Sequence, residues 1–180
     1  MTPTPPAAPR IDTARLTLRA LADADWPDLQ RIATAPGVAR MLYVVTEPWP
    51  EAAVRAFIRR WRWQGRLGYR LAVCLRDGPM IGTVGIGQFP VETFYFLDPA
   101  HHGQGYATEA MGAFLADVFA RFAPVAVTAE VFRDNPGSAR VLEKLGFRQI
   151  GTRMGRSAAR LEPEPVWRYR LVCNEVRANR

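Results

Sequence analysis

Asp98-Pro-Ala-His-His-Gly-Gln-Gly-Tyr-Ala-Thr-Glu-Ala110 is the stretch that organises this chain. A strand-like run, Thr93-Phe94-Tyr95-Phe96-Leu97, leads into it. Behind it Ala107, Met111, Phe114, Leu115, Val118 and Phe122 recur at spacings of three and four, the pattern of an amphipathic helix. Gly103 and Gly105 stand between the two, where the helix should begin. Glycine lets backbone amides turn inward because no Cβ stands in the way. The first turn of a helix adds unpaired N–H groups at the positive end of its dipole. Strand, glycine turn and helix start together make a place to hold an anion, and phosphate suits it. A glycine pair of this kind also serves simply to cap a helix, so the spacing alone leaves both uses open. A Walker loop is excluded, since no Gly-Lys-Ser/Thr follows. A dinucleotide fingerprint is excluded as well: its third glycine is missing and the preceding units are not βαβ.

The 180 residues, 48% hydrophobic and 23% charged, imply one globular domain with room for a real core. Residues 1–12 read as a proline-rich extended or disordered lead-in, 13–175 as the domain and 176–180 as a tail. No apolar run approaches the length of about 18 residues that a membrane span needs, and no apolar signal core opens the chain. Cys74 and Cys173 lie far apart in strand-like runs and suit small core residues in a reducing compartment, so the cytoplasm is the expected location. The net charge is +7, with 23 of the 24 basic residues being arginine. Such a balance fits nucleic acid, an acidic partner or a polyphosphate cofactor. The arginines are scattered, however, and arginine with abundant alanine also arises from codon bias.

Leu16 and Leu18 alternate with arginine and threonine over residues 13–20, as in a half-buried strand. Helices are expected through Trp26, Leu29, Ile32 and Ala33, capped by Asp23 or Asp25, and through Val54, Phe57, Ile58 and Trp61. Trp63 and Tyr69 fall off the helical period and suit a substrate mouth. Tyr69–Leu75 and Met80–Gln88 form a hairpin across Asp77-Gly78, and a strand over Val91–Leu97 follows. Strands at 125–131, 147–150 and 166–173 and a short helix ending at Gly146 complete the chain, with 153–165 a polar loop. The expected architecture is an α/β three-layer sandwich with a mixed, mostly antiparallel sheet of six to seven strands and four helices.

Two motifs carry a resemblance. His102-Gly-Gln-Gly-Tyr-Ala107 resembles the Gln/Arg-x-x-Gly-x-Gly/Ala pyrophosphate loop of the GNAT N-acetyltransferases. Asn135-Pro-Gly-Ser-Ala-Arg-Val-Leu-Glu-Lys-Leu-Gly-Phe147 resembles that family's second signature. The element order matches over about residues 13–173, and the chain is most similar to the ribosomal-protein-alanine N-acetyltransferase branch. The resemblance implies acetyl-CoA as donor and a primary amine as acceptor, with direct transfer in a ternary complex.

It also assigns residues. Amides from His102, Gly103, Gln104, Gly105, Tyr106 and Ala107 would take the CoA pyrophosphate. The backbone of Phe96 and Leu97 would pair with pantetheine like an added strand, and Asn135 would bond the same arm. His102 departs from the family's usual Gln or Arg. His101 and His102 have no third ligand nearby, so no metal is expected. Glu92 occupies the position of a catalytic glutamate, and burial beside Phe94 and Phe96 would raise its pKa. Many relatives carry a tyrosine acid where this chain has Leu142. In the branch it resembles, Ser138 takes that role, with Tyr95 and Tyr106 as substitutes.

The acceptor is either a protein N-terminal α-amine or a small-molecule amine. Arg153, Arg156 and Arg160 would suit an acidic acceptor, and Trp61, Trp63 and Tyr69 an apolar one. A homodimer is compatible with the chain, but no residue encodes an assembly state. Two rival readings stand beside the enzyme. One is a non-catalytic acyl-CoA-binding regulatory module; the other, placed last for want of a recognised motif, is a basic RNA- or ribosome-associated binder.

Overall fold

Asp77, with φ 56°, and Gly78 reverse the chain so that Tyr69–Leu75 (β3) pairs antiparallel with Met80–Ile86 (β4). The computed structural model describes residues 6–172. Ile11–Asp12 (β1), Leu16–Ala20 (β2), β3, β4 and Thr93–Leu97 (β5) form one antiparallel sheet in that order. Ala126–Phe132 (β6), Arg148–Gly155 (β7) and Glu164–Val172 (β8) form a second antiparallel sheet, ordered β6-β8-β7. A single parallel bridge, Glu92 with Thr128, joins the two at the start of β5 and β6. The result is an α/β sandwich of eight strands and four helices among the described residues.

Both faces of the larger sheet are covered, which is why β3 and β4 read as near-continuous apolar runs. Alternation along β3 sends Leu71 and Val73 to one side and Ala72 and Cys74 to the other. Tyr106–Phe122 (α3) and Pro136–Lys144 (α4) cover the first side with Met111, Phe114, Leu115, Val118 and Leu142. Trp26–Ala33 (α1) and Glu51–Arg60 (α2) cover the second with Leu29, Ile32, Val54, Phe57 and Ile58. Each large side chain so buried contributes about 1.5–3 kcal/mol.

Several expectations change. Ile11–Asp12, read as the end of the lead-in, pair with β2, and the Trp63 indole donates to the Pro6 carbonyl at 2.7 Å. Trp63 and Tyr69 therefore line no mouth. They pack edge to face in the core beside Phe114 and Phe122. β7 runs to Gly155, where a loop had been expected from 153, after a register shift between Gln149 and Gly151. Ile150 and Met154 on that strand are exposed, so it carries no apolar rhythm to read. Cys74 is buried and its thiol is pushed up by that burial. Cys173 lies outside the described residues. No helix among the described residues is long and apolar enough to cross a membrane.

Candidate active site

After β5, Asp98 caps a short turn by accepting the Ala100 N–H at 3.0 Å and pairs with Arg31 of α1 at 2.5 Å. Gly103 and Gly105 then adopt left-handed backbone, φ 74° and 81°, and α3 begins at Tyr106. Its N-cap is Gly105, so no side chain caps the helix. The first intrahelical bond from this cap is Glu109 N–H to the Gly105 carbonyl, 3.0 Å, which leaves the N–H groups of Tyr106, Ala107 and Thr108 without a helical partner. Residues 102–105 are exposed. Arg15 holds this nose from the side: its guanidinium donates to the Gln104 carbonyl at 3.0 Å and to Glu109 at 2.7 Å, and covers the Tyr106 ring. The His102 imidazole turns back toward β5. Its Nε2 hydrogen-bonds the Leu97 carbonyl at 3.0 Å.

Beyond the Glu92–Thr128 bridge, β5 and β6 share no further pairing. On one edge of β5, Asp98 N–H bonds Ile81 and the Glu92 carbonyl accepts from Gly87. Antiparallel alternation therefore turns the amide groups of Phe94 and Phe96 toward β4. The odd-numbered residues face the other way, as Val91 does when its carbonyl accepts Thr128 N–H at 2.9 Å. Tyr95 thus presents its backbone to the gap, and Leu97 its N–H, the Leu97 carbonyl being taken by His102. Phe96, expected to do so, spends its backbone on Thr83 across the ladder.

Side-chain parity places Glu92 and Tyr95 on opposite faces of β5. Glu92 shares the α1/α2 face with Phe94, which contacts Trp61. Glu130 of β6 joins it there, accepting the Tyr43 hydroxyl at 2.8 Å and the Arg153 guanidinium. Glu92 is half-buried; burial first, then the Glu130 charge, push its carboxyl up, while Arg153 and Arg168 oppose. Burial would also raise Glu130, but the bonds from Arg153 and Tyr43 outweigh it and hold that carboxyl low. Two neighbouring carboxyls are thus pushed in opposite directions, the pattern of an acid–base site.

On the α3/α4 face the Tyr95 hydroxyl lies 2.9 Å from Ser138 Oγ. Burial pushes this phenol up to about 12, the Ser138 bond acting the other way, so it stays protonated at neutral pH. Ser138 opens α4, and its N–H is capped by Asn135 Oδ1 at 3.1 Å. Capping uses only that oxygen; the Asn135 amide nitrogen has no partner among the described residues and remains a donor. Leu142, which stands in place of the expected tyrosine acid, is buried in the core.

Two arginines expected to await an acidic acceptor are already engaged. Arg153 binds Glu130, and Arg160 binds Asp134 at 2.8 Å together with Arg40 at 2.6 Å. Sequence reasoning missed Glu130, Tyr43 and Asp134. Glu130 sits on the polar phase of an alternating strand, where a solvated carboxylate is the ordinary outcome, and here Tyr43, Arg153 and Arg168 close over it.

These residues fit coenzyme A. An uncapped helix nose with two left-handed glycines suits a diphosphate. The outward amides of Tyr95 and Leu97, with the free Asn135 amide, suit the peptide-like groups of pantetheine. Comparison with known proteins agrees. The model of the acetyltransferase (GNAT) domain matches residues 15–148. The probable N-acetyltransferase YjcK of Bacillus subtilis is 40% identical over 81 residues, 42% of this chain and 45% of that protein, so under half of that relative is spanned. The structure of a RimL ribosomal L7/L12 alpha-N-protein acetyltransferase with coenzyme A superposes at a TM-score of 0.77, with 17% identity, 91% of this chain and 98% of that one. Vibrio cholerae spermidine N-acetyltransferase with CoA and spermine gives 0.75, with 19% identity, 91% and 99%. The chain belongs to the GNAT family of acetyl-CoA-dependent acyltransferases.

Proposed function

We propose that this chain moves an acetyl group from acetyl-CoA to a primary amine by direct attack in a ternary complex. Glu92 takes the amine proton and the Ser138–Tyr95 pair supplies one to the departing sulfur. The observation that carries this reading is the arrangement about the gap. A carboxyl with raised proton affinity lies on one face of β5, and a hydroxyl pair lies on the other.

Bound acetyl-CoA supplies an acyl group activated as a thioester. The rest falls to the chain. Gly103 to Ala107 and Asn135 hold the donor, and the outward backbone of Tyr95 and the Leu97 N–H fix its arm in register. Most primary amines are protonated at neutral pH, so a base must act before or during attack. Glu92 accepts that proton directly or through a water. Ser138 donates its hydroxyl hydrogen at the sulfur position while Tyr95 holds a proton behind it. The carbonyl carbon gains the nitrogen and loses the sulfur, and no acyl-enzyme forms, so Cys74 needs no part.

The acceptor is a primary amine, a protein N-terminus as for the RimL alpha-N-protein acetyltransferase or a small amine as for the spermidine enzyme. The test is free-thiol release from acetyl-CoA across a panel of peptides and small amines, with product mass measured in parallel. A mass gain of one acetyl on an amine supports the reading. Saturable CoA binding with no turnover on any amine would overturn it.

A further inference from the structure

Arg70 stands inside β3, between Tyr69 and Leu71, both fully buried. Its side chain leaves on the α1/α2 face and is only 7% exposed. The guanidinium lies 4.0 Å over the Phe94 ring, with Phe57 at 4.9 Å and Trp61 at 5.2 Å. Gly85 lets it lie there: a Cβ at that position would meet Arg70 Cγ at 2.5 Å and Phe94 Cε2 at 2.4 Å. Nη1 donates to Thr83 Oγ1 at 3.1 Å. Nε is buried with no acceptor, and Nη2 has none among the described residues. No carboxylate among the described residues pairs with it, unlike Arg19, which meets Asp25 at 2.8 Å, or Arg153. Burial alone, unopposed, pushes its pKa down to about 9.

A buried cation without a counter-charge destabilises a fold, and a methionine or leucine there would be more stable. The ring faces and the Thr83 hydroxyl offset that cost in part and leave Nε and Nη2 unpaired, and positions that break a packing rule tend to serve a site. Nε is sealed, but Nη2 is not among the fully buried atoms, and its N–H groups are charge-assisted donors for a carboxylate. Phe94, under this guanidinium, is two residues from Glu92 on the same strand face, roughly 7 Å along β5. Trp61 and Phe94 are half-buried, so the cage reaches the surface on the sheet face that carries Glu92.

We infer that Arg70, through Nη2, receives a carboxylate of the acceptor, so that the acceptor is an amino acid or short peptide with its amine at Glu92 and its acid group at Arg70. This rests on the transferase reading above. It would set the chain apart from an enzyme for polyamines, which carry no acid group.

Two measurements test it. The first compares kcat/KM for dipeptides and for their C-terminal amides in wild type, Arg70→Met and Arg70→Lys, with CoA titration reporting that each variant is folded. Wild type should prefer the free acids by roughly 10- to 100-fold, the factor for a hydrogen bond to a charged partner. Arg70→Met should flatten that ratio, and Arg70→Lys, which keeps the charge but not Nη2, should leave a reduced preference. The second measures melting in glutarate against chloride at matched ionic strength and needs no turnover. Glutarate should stabilise wild type and not Arg70→Met, which itself should melt about 2–4 °C or more above wild type. Equal rates for acids and amides in wild type, or an equal glutarate shift in both proteins, would overturn the inference. If no amine is acetylated, the transferase reading fails while the glutarate comparison still decides for or against the Arg70 site. If Arg70→Met fails to fold, Arg70→Lys carries both comparisons.

Discussion

Glu92→Gln keeps the shape of the side chain and removes its basicity. The wild-type carboxyl is half-buried where β5 and β6 part, and burial with the Glu130 charge holds it above its ordinary value of 4.5. General-base catalysis is worth about 10²- to 10⁴-fold, so kcat should fall by that order while CoA affinity stays as it was. A base must be unprotonated, so the wild-type rate should drop as pH falls through the raised pKa, and the variant should lack that limb. Glu130→Gln removes one of the causes of the shift and should move the limb to lower pH. Stability has its own sign. The folded carboxyl keeps its proton to higher pH than the unfolded one, so stability declines as pH rises from 4.5 through the folded value. Glu92→Gln abolishes that decline and should melt higher than wild type at neutral pH. Thiol release at saturating acetyl-CoA, from pH 5 to 9 and with calorimetry alongside, reads both effects. Full turnover by Glu92→Gln at every pH would refute the assignment of the base.

Ser138→Ala should lower kcat by up to about 10²-fold, the scale of losing one donor at a developing negative charge. Tyr95→Phe should cost a similar factor and the double variant little more, because groups acting as a unit are not additive; additive losses would separate the two hydroxyls. Arg153→Met removes the cation that, against burial, holds the Glu130 carboxyl low. In wild type that pair stabilises the fold above the ordinary carboxylate range and the gain is lost as pH falls through the lowered value. The variant should therefore melt lower at neutral pH and show a flatter acid-side decline, read by melting at stepped pH.

The glycine loop, the helix behind it and the two apolar helix faces were legible in the chain because local spacing encodes them. Gly103 and Gly105 stand where left-handed backbone is needed, and the α3 residues picked by periodicity line the core. The edge strand β7 was not fully legible, since Ile150 and Met154 face solvent and a register shift interrupts its alternation. Phe96 and Tyr95 illustrate a finer limit. Which of two neighbours offers its amides to the gap depends on the pairing of β5 with β4, a long-range fact. The same holds for Arg153 and Arg160, whose partners Glu130 and Asp134 lie 23 and 26 residues away. Trp63 and Tyr69 left the helical period because they sit in the irregular segment after α2 and at the start of β3, and both finish inside the core.

Coenzyme A binding by Gly105→Val tests the grip of the α3 nose most directly. Gly105 has φ 81° and a Cβ there would meet nothing nearer than Arg15 Nη2 at 3.5 Å, so the cost is backbone strain and not crowding. A left-handed L-residue costs about 1–2 kcal/mol and a β-branched one is worse, which the loop relieves by turning its amides out of line. Gly37→Val carries the same strain, φ 82° with nothing within 4 Å, in the segment after α1, away from the loop. Calorimetric titration should show Kd for coenzyme A raised about tenfold or more in Gly105→Val, with Gly37→Val matching wild type; equal affinity in all three proteins would mean that this loop does not hold the diphosphate.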